Sequence, residues 1–162
     1  MNLYKKIFKE LGNAKIEYLI VGGVAVNLYG YTRFTGDIDI LLALNPKNLI
    51  KMDKLMHKLE YVERLPVNIK DLNNKTKLNK FIKEKGLKAY TYISNSQPQL
   101  DIDIIVKESS DFDKYNKKKT IIEVWDLKLP VINIDDLIKM KKSANRDKDS
   151  IDIKALLKLK EL

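Results

Sequence analysis

Two aspartates that alternate with isoleucine are the residues of this sequence best suited to chemistry. Asp37 and Asp39 lie in the run DIDI, and in a strand both carboxylates would lie on one face, because successive side chains point to opposite sides. Two neighbouring anions repel each other, so the pair favours a bound cation. Carboxylate oxygens suit Mg²⁺ and Mn²⁺, and Mg²⁺ sites usually combine one or two carboxylates with substrate phosphates. We therefore predict a divalent metal site.

Gly22 and Gly23 precede this pair and predict a phosphate site. Glycine has no Cβ atom, so its backbone can approach a triphosphate closely. A short predicted helix follows, and the first amide groups of a helix attract anions. A phosphate site at one turn and a metal site on the next strand form a layout suited to transfer of a phosphoryl or nucleotidyl group.

Residues 20–43, IVGGVAVNLYGYTRFTGDIDILLA, resemble the signature of the DNA polymerase β nucleotidyltransferase superfamily. That signature is a Gly-Gly or Gly-Ser turn followed by Asp-x-Asp, with Arg33 and Thr35 between the two halves here. The run is similar to the small bacterial and archaeal branch that includes the AbiEii-type toxins of toxin–antitoxin systems. The resemblance implies a nucleoside triphosphate (NTP) substrate, such as ATP, and two metal ions bridged by Asp37 and Asp39.

Two readings of Arg33 and Thr35 stay open at this point. Arg33 could pair with a phosphate or with Asp37, and Thr35 could hydrogen-bond near Asp37, which would make both nucleotide-binding residues together with Gly22 and Gly23. Equally, both could serve only the turn.

A second pair of alternating aspartates, Asp101 and Asp103, lies in the predicted strand 99–106. This strand forms a predicted hairpin with residues 87–94. The superfamily resemblance implies a third carboxylate on a strand beside the Asp-x-Asp strand, where it holds the metal that activates the attacking hydroxyl. Asp103, just before an apolar run, is the first candidate and Asp101 the second. The sequence does not separate them.

Residues 131–156, VINIDDLIKMKKSANRDKDSIDIKAL, carry a second resemblance, to the C-terminal signature of the AbiEii-like branch. That pattern is D-L-I-x-x-K, small residues, then R-x-x-D. By this match Lys141 is the family lysine, and Arg146 and Asp149 complete the pattern. Lys141 could neutralise charge on the leaving group as a catalytic residue, with Asp149 orienting it. The alternative is an ion-pair network that only fixes the tail against the core.

The elements that must position these residues indicate a mixed α/β chain. Hydrophobic periodicity and capping signals predict helices at 2–13, 23–30, 46–61, 133–144 and 147–160, and strands at 16–21, 37–44, 87–94, 99–106, 120–126 and 127–132. The last helix is predicted to face inward with Ile151, Ala155, Leu156 and Leu159. The resemblance implies one nucleotidyltransferase domain over 1–162, an α/β (α+β) fold of polymerase β type with a mixed twisted sheet and helices mainly on one face.

The composition excludes several other kinds of site. The chain has no cysteine and a single histidine, which excludes a disulfide framework, a thiolate zinc site and histidine-based catalysis. We predict that this histidine, His57, is a helix-surface residue. Carboxylates are ionised at neutral pH and a metal lowers the pKa of a bound hydroxyl, so the predicted chemistry needs no histidine.

The charge balance favours a polyanionic partner such as RNA. Lysine plus arginine number 31 against 22 aspartate plus glutamate, a net charge of +9, and aspartates gathered in one pocket leave the remaining surface more basic still. A candidate RNA-backbone patch comprises Lys70, Lys75, Lys77, Lys80, Lys83 and Lys85. A solvated helix face and a lysine-rich coding bias explain the same residues.

The sequence thus predicts a Mg²⁺-dependent nucleotidyltransferase that moves a nucleoside monophosphate from an NTP to a hydroxyl. The toxin resemblance implies an RNA acceptor, a tRNA 3′ end in particular, and an antitoxin or other partner protein. The alternatives are transfer to a protein or small molecule, and a non-catalytic member that binds a partner. With no signal core and no apolar run of spanning length, we expect a cytoplasmic protein without a membrane partner. The acceptor, the NTP, the oligomeric state and activity in isolation stay open.

Overall fold

The strands form a single mixed sheet. The computed structural model describes residues 2–96 and 98–162, and within them seven strands lie in the order β3-β4-β5-β2-β1-β7-β6. Their bounds are β1 Tyr18–Val21, β2 Asp37–Leu42, β3 Tyr61–Glu63, β4 Ala89–Ser94, β5 Asp101–Ile105, β6 Thr120–Val124 and β7 Leu127–Val131. β1 pairs antiparallel with β2, whereas β2 pairs parallel with β5. The predicted mixed sheet is confirmed.

Helices connect these strands, and the N-cap predicted for the helix at 133–144 is present. Their bounds are α1 Leu3–Asn13, α2 Gly22–Tyr29, α3 Pro46–Lys58, α4 Lys75–Lys85, α5 Val106–Ser109, α6 Phe112–Asn116, α7 Ile134–Ala144 and α8 Asp147–Lys160, with a 3₁₀ helix at Ile69–Asn73. The side chain of Asn133 accepts the Asp135 amide at 2.9 Å at the start of α7, as expected of an N-cap. None of the described helices combines the length and the apolar character needed to cross a membrane.

Two short elements differ from the sequence prediction. The third helix ends at Lys58 because Glu60 adopts a positive φ of 65°, and the chain enters β3, where the Tyr61 hydroxyl donates to the Leu100 carbonyl at 2.7 Å. The strand 99–106 stops one residue early, and α5 follows. Ser109 of α5 accepts the Leu42 amide at 3.0 Å, which joins α5 to the end of β2.

The face of the sheet opposite the aspartates carries most of the central core. The isoleucines of β2 and β5 are fully buried on it: Ile38, Ile40, Ile102 and Ile104. Each such burial stabilises the fold by about 1.5–3 kcal/mol. α1 packs there through Phe8, whose ring stacks on Tyr18 with centroids 6.4 Å apart, and α3 through Asp53, which accepts the Tyr92 hydroxyl at 2.8 Å. The other face is left for the aspartates.

α8 turns carboxylates toward the protein interior. Asp149, Asp152 and Leu156 are buried, whereas Ile151 is 59 % exposed. The predicted inward position of Ile151 is therefore wrong. The three buried residues are three and four positions apart, so they lie on one face of the helix. Arg33, from the loop before β2, and Lys141, from α7, contact that face.

Candidate active site

Four aspartates lie in two adjacent rows on one face of the sheet. The parallel register of β2 and β5 sets Asp37 opposite Asp101 and Asp39 opposite Asp103. Because side chains alternate along both strands, all four carboxylates share a face. The structure thus brings together both aspartate pairs found in the sequence.

The two β5 aspartates have different surroundings. Asp101 is 8 % exposed and its Oδ1 accepts the Ser94 amide at 3.1 Å and Gln99 Nε2 at 3.1 Å. Its Oδ2 lies 3.4 Å from Arg64 Nη2. Hydrogen bonds and a cation therefore already satisfy Asp101. Asp103 is half-buried and accepts a short hydrogen bond from the Thr91 hydroxyl, which fixes its orientation next to Asp39.

The aspartates disfavour one another's ionised forms. Burial, followed by the charges of Asp103 and Asp37, raises the pKa of Asp39 to about 7. Burial and the charges of Asp103 and Asp101 also raise the pKa of Asp37, against the opposing effect of Arg64 and Lys148. Crowded carboxylates with raised pKa values are the donor set that a divalent cation favours.

The diglycine lets the start of α2 lie in close contact with the aspartate cluster. Gly22 has φ +64°, and a Cβ atom on it would lie 2.1 Å from Asp39 Oδ2. A Cβ atom on Gly23 would lie 2.6 Å from Thr35 Oγ1. No real Cβ atom lies so close to an oxygen, so both positions need glycine, and the backbone of Gly22 lies against the Asp39 carboxylate. The predicted approach of this backbone to a triphosphate stays a prediction.

Arg33 and Thr35, which lie between the diglycine and the aspartates, do not contact the Asp37 carboxylate. Arg33 forms a two-point ion pair with Asp152 of α8, Nε to Oδ1 at 2.8 Å and Nη2 to Oδ2 at 2.8 Å. Asp152 is buried and presents both oxygens in one plane, which matches the guanidinium fork. Thr35 Oγ1 donates to the Asp37 carbonyl at 3.4 Å, a contact of the turn backbone.

The C-terminal residues singled out from the sequence form what we term the α8 ion-pair network: Arg33, Lys141, Arg146, Asp149 and Asp152. Lys141 Nζ lies 2.9 Å from Asp152 Oδ2 and 3.4 Å from Asp149 Oδ1. Arg146 Nε lies 2.9 Å from Asp149 Oδ2. Both carboxylates and Lys141 are at most 4 % exposed. Three cations face two anions, which leaves one excess positive charge.

Both carboxylates of the network stay ionised despite their burial. Burial alone raises the pKa of Asp149, but hydrogen bonds from Arg146 and the charge of Lys141 hold it below the usual value. Burial likewise raises the pKa of Asp152, and the hydrogen bonds from Arg33 and Lys141 outweigh it. Lys141 is therefore held in place by two anions on α8.

A cavity of about 510 Å³ opens between the aspartate face and α7. Asp39 and Gly22 line one wall, with Lys141 and Arg146 nearby. The rest of the lining is largely apolar and includes Ile82, Leu87, Ile105, Leu137 and Met140. Its volume lies within the range of about 300–1,000 Å³ of small-molecule sites, which commonly combine apolar walls with a few polar groups.

His57 belongs to a separate cluster on α3 and β3. Its Nε2 lies 2.7 Å from Glu63 Oε1 and its Nδ1 3.5 Å from Asp53 Oδ2, and its side chain is 47 % exposed, as predicted for a surface position. In residues 2–96 and 98–162 this is the one group of three metal-ligating side chains whose donor atoms all lie within 4.8 Å. By the same criterion the aspartates of β2 and β5 form no such group among these described residues.

Sequence reasoning missed Thr91, Arg64 and Tyr4 around the aspartates. Thr91 lies opposite Asp103 in the β4–β5 register, so pairing the predicted hairpin residue by residue could have found it. The Tyr4 hydroxyl donates to the Thr35 carbonyl at 2.8 Å. Arg64 and Tyr4 reach the site only through the tertiary fold, and no local pattern marks them.

A family and several solved structures are similar to this chain. The model of the nucleotidyl transferase AbiEii toxin family, of type IV toxin–antitoxin systems, matches residues 11–162. Comparison with curated protein sequences gives no match.

Among solved structures, the lincosamide antibiotic adenylyltransferase LnuA in its lincomycin-bound form is similar with a TM-score of 0.61 and 19 % identity, covering 96 % of this chain and 95 % of that one. A protein of Thermotoga maritima described as a nucleotidyltransferase has a TM-score of 0.58 and 13 % identity, over 96 % and 91 % of the two chains.

An antigenic nucleotidyltransferase-like protein from Paracoccidioides brasiliensis has a TM-score of 0.55 and 14 % identity, over 95 % of this chain and 72 % of that one. At these identities the likeness concerns the fold alone, and it confirms the predicted α/β (α+β) nucleotidyltransferase fold.

Proposed function

The chain belongs to the AbiEii nucleotidyltransferase family, and from that premise we propose that Asp37, Asp39 and Asp103 hold the metal of its active site. The family makes the chain a nucleotidyltransferase and relates it to type IV toxin–antitoxin systems. One observation carries the residue assignment: the β2–β5 register sets Asp103 beside Asp39, and Gly22 backbone lies against that same carboxylate.

The donor set fits Mg²⁺ or Mn²⁺, since it consists of carboxylate oxygens alone. Bound there, the ion would act as a Lewis acid on the phosphate and lower the pKa of the attacking hydroxyl. Asp101 is the weaker candidate for a ligand, because Ser94, Gln99 and Arg64 already engage both of its oxygens.

The cavity beside Asp39 is the proposed NTP site. Gly22, Gly23 and the first amides of α2 would bind the β and γ phosphates. Lys141 has three N–H donors, two of which its carboxylate partners use, and the third can reach a phosphate because Lys141 lines the cavity. Arg146, which also lines it, would supply the second positive charge for the pyrophosphate leaving group.

In the proposed reaction the oxygen of an acceptor hydroxyl forms a bond to the α phosphorus. The bond from that phosphorus to the bridging oxygen breaks, and pyrophosphate leaves. The hydroxyl proton passes to Asp103, whose orientation the Thr91 hydroxyl fixes. The roles of Arg33 and Thr35 are to fix the turn before Asp37, with Arg33 also completing the α8 ion-pair network.

The proposed acceptor is the 3′ hydroxyl of an RNA, a tRNA in particular, because the net charge of +9 favours a polyanion. A small-molecule hydroxyl is the second candidate, since the structurally similar LnuA is an antibiotic adenylyltransferase. We further propose an antitoxin protein as partner, and one domain over residues 1–162. The cytoplasmic location stays a prediction.

A labelling experiment tests this function. The pure protein is incubated with Mg²⁺, each NTP in turn radiolabelled at its α phosphate, and the total RNA, total protein and small-molecule fractions of a bacterial lysate. We expect label in an RNA band of tRNA size, and none with Asp37→Asn. Label in protein or in a small molecule would move the acceptor to that class. NTP binding without transfer to any of the three would contradict the proposal.

A further inference from the structure

The loop between α2 and β2 carries a solvent-exposed aromatic side chain, Phe34, close in sequence to Asp37. Phe34 is 89 % exposed and lies three residues before Asp37. Single exposed apolar side chains are common, so exposure alone says little. The surroundings of this ring are more informative.

The backbone that carries Phe34 is fixed on both sides. The Arg33 amide donates to Asn27 Oδ1 at 3.0 Å, and Arg33 Nη1 donates to the Phe34 carbonyl at 2.8 Å. The Tyr4 hydroxyl donates to the Thr35 carbonyl at 2.8 Å. Side chains of α1, α2 and the loop itself thus hold the chain with the ring outward, so a partner that stacks on it meets a preorganised surface.

Two exposed cations lie around the same end of the aspartate cluster. Arg64 pairs with Asp101, which lies opposite Asp37 in the β2–β5 register. Lys148 is exposed in the first turn of α8, the helix that binds Arg33 of the same loop. The Arg64 side chain is 54 % exposed and contacts Asp101 only through one nitrogen at 3.4 Å, so most of its donors are free for another anion.

This end is separate from the proposed NTP cavity. Asp39 lines the cavity, whereas among the described residues its lining does not include Asp37, Asp103 or Phe34. A nucleotide in the cavity would therefore leave the Asp37 and Asp103 side open to the second substrate.

We propose that Phe34 is a stacking platform for an unpaired base at the 3′ end of a single-stranded acceptor RNA, with Arg64 and Lys148 against its phosphates. An aromatic ring combined with cations is how proteins bind single strands, because every base has a face that can stack. This inference rests on the proposed function, whose acceptor it specifies.

The test measures the affinity of the full chain for a short fluorescein-labelled single-stranded RNA. Stacking of one base contributes about 1–3 kcal/mol, so Phe34→Ala should weaken binding about 5- to 150-fold. Phe34→Trp should retain the affinity. Ile151→Ala, which removes an apolar side chain that is 59 % exposed on α8, is the matched control and should change nothing.

Two further measurements separate stacking from charge. With a blunt duplex of the same sequence the effect of Phe34→Ala should vanish, because paired bases offer no free face. Lys148→Gln should reduce the slope of log affinity against log salt by about 0.7, the value for one phosphate contact on a single strand. Phe34→Ala should leave that slope and the affinity for a fluorescent ATP analogue unchanged.

The proposed function is tested separately from the Phe34 inference, by transfer of the radiolabelled α phosphate in the wild-type protein. If label reaches RNA but Phe34→Ala binds the strand as well as wild type does, the inference on Phe34 is overturned while the proposed function stands. Label that reaches only a protein or a small molecule also overturns it. Loss of strand binding in Phe34→Ala, with Phe34→Trp and Ile151→Ala like wild type, supports it unless the label reaches only a protein or a small molecule.

Discussion

At the scale of single residues, the strongest consequence concerns Asp39, whose pKa of about 7 exceeds its ordinary value of 3.8. The folded state holds this proton across the window between those values while the unfolded state releases it. Stability therefore falls as pH rises through the window, and the loss is complete above it. A bound divalent cation would oppose the loss.

Asp39→Asn should accordingly raise the free energy of unfolding by about 1–3 kcal/mol at about pH 8, and by little at about pH 4. Urea unfolding at both pH values measures this. Added Mg²⁺ should stabilise wild type and leave the variant unchanged. Equal stabilisation at both pH values would mean that the pKa of Asp39 is not raised in the folded state.

The two β5 aspartates can be distinguished by their amides. Asp103→Asn should reduce transfer by at least about 100-fold, the scale of losing one transition-state contact, with little loss of stability. Asp101→Asn should keep transfer within about tenfold and lose stability instead, because Arg64 then lacks its counter-charge. Initial transfer rates alongside thermal unfolding give both answers. The opposite pattern would make Asp101 the ligand.

Sequence reasoning reached these aspartates because a period of two is a local signal that places both members of a pair on one face. It could not choose between Asp101 and Asp103, since the difference lies in Ser94, Gln99 and Arg64, which satisfy only Asp101. It left Arg33 open between a phosphate, Asp37 and a role in the turn, and it could not find Asp152, the partner 119 residues further on.

At the scale of elements, the turn from β1 into α2 is the tightest constraint. Gly22→Ala would place a Cβ atom 2.1 Å from Asp39 Oδ2 at φ +64°, so we expect a loss of about 1–3 kcal/mol in stability and loss of transfer. Gly12→Ala is the matched control, because a Cβ atom in α1 at that position meets nothing within 4 Å. It should stabilise by about 0.5–1 kcal/mol.

Thermal unfolding and labelling of both glycine variants check this prediction. A Gly22→Ala chain with wild-type transfer would show that the turn can move away from Asp39 at no cost. That result would also weaken the case for phosphate binding by this backbone.

The start of a helix could be predicted where a local contact determines it, but the buried face of a helix could not be predicted where distant residues determine it. Asn133 marked the start of α7 correctly because an N-cap is a local contact. The inward face of α8 was predicted from its apolar residues, yet Asp149 and Asp152 are buried because Lys141, Arg33 and Arg146 neutralise them. Burial of a charge depends on a partner elsewhere in the chain, which a hydrophobic pattern does not contain.

At the scale of the whole molecule, the net charge is +9, and four of the aspartates lie together on one face of the sheet, so the rest of the molecule carries more positive charge than the net value. The lysines of α4 are exposed, and the end of that helix borders the cavity through Ile82 and Gly86. If the exposed lysines of α4 bind the phosphate backbone of an RNA, the bound strand would lie next to the proposed NTP site. Lys77 also pairs with Asp71 at 3.3 Å, so its charge is partly used.

Reversing the charge of Lys75, Lys77 and Lys80 to glutamate should weaken RNA binding and flatten its dependence on salt. Titrations with a labelled RNA at several salt concentrations measure both. Equivalent reversal of Lys47, Lys54 and Lys58, which are exposed on α3 behind the sheet, is the control. An unchanged salt slope in the α4 variant would make that patch an ordinary solvated helix face.

The pairing and register of the strands in the sheet could not be predicted from local sequence patterns. β2 and β5 pair in parallel across more than 60 residues, and such a register depends on tertiary packing rather than on any turn between the strands. The order and spacing of the diglycine and the aspartates indicated it only through their resemblance to a known superfamily.

The most direct test of the carboxylate site compares two labels on one NTP. Wild type and Asp39→Asn are incubated with Mg²⁺, the proposed RNA acceptor, and NTP labelled at either the α or the γ phosphate. We predict that wild type attaches the α label and releases the γ label as pyrophosphate, and that the variant, folded and at least as stable, does neither. Release of the γ label as free phosphate without attachment of the α label, or equal transfer by Asp39→Asn, would contradict the account.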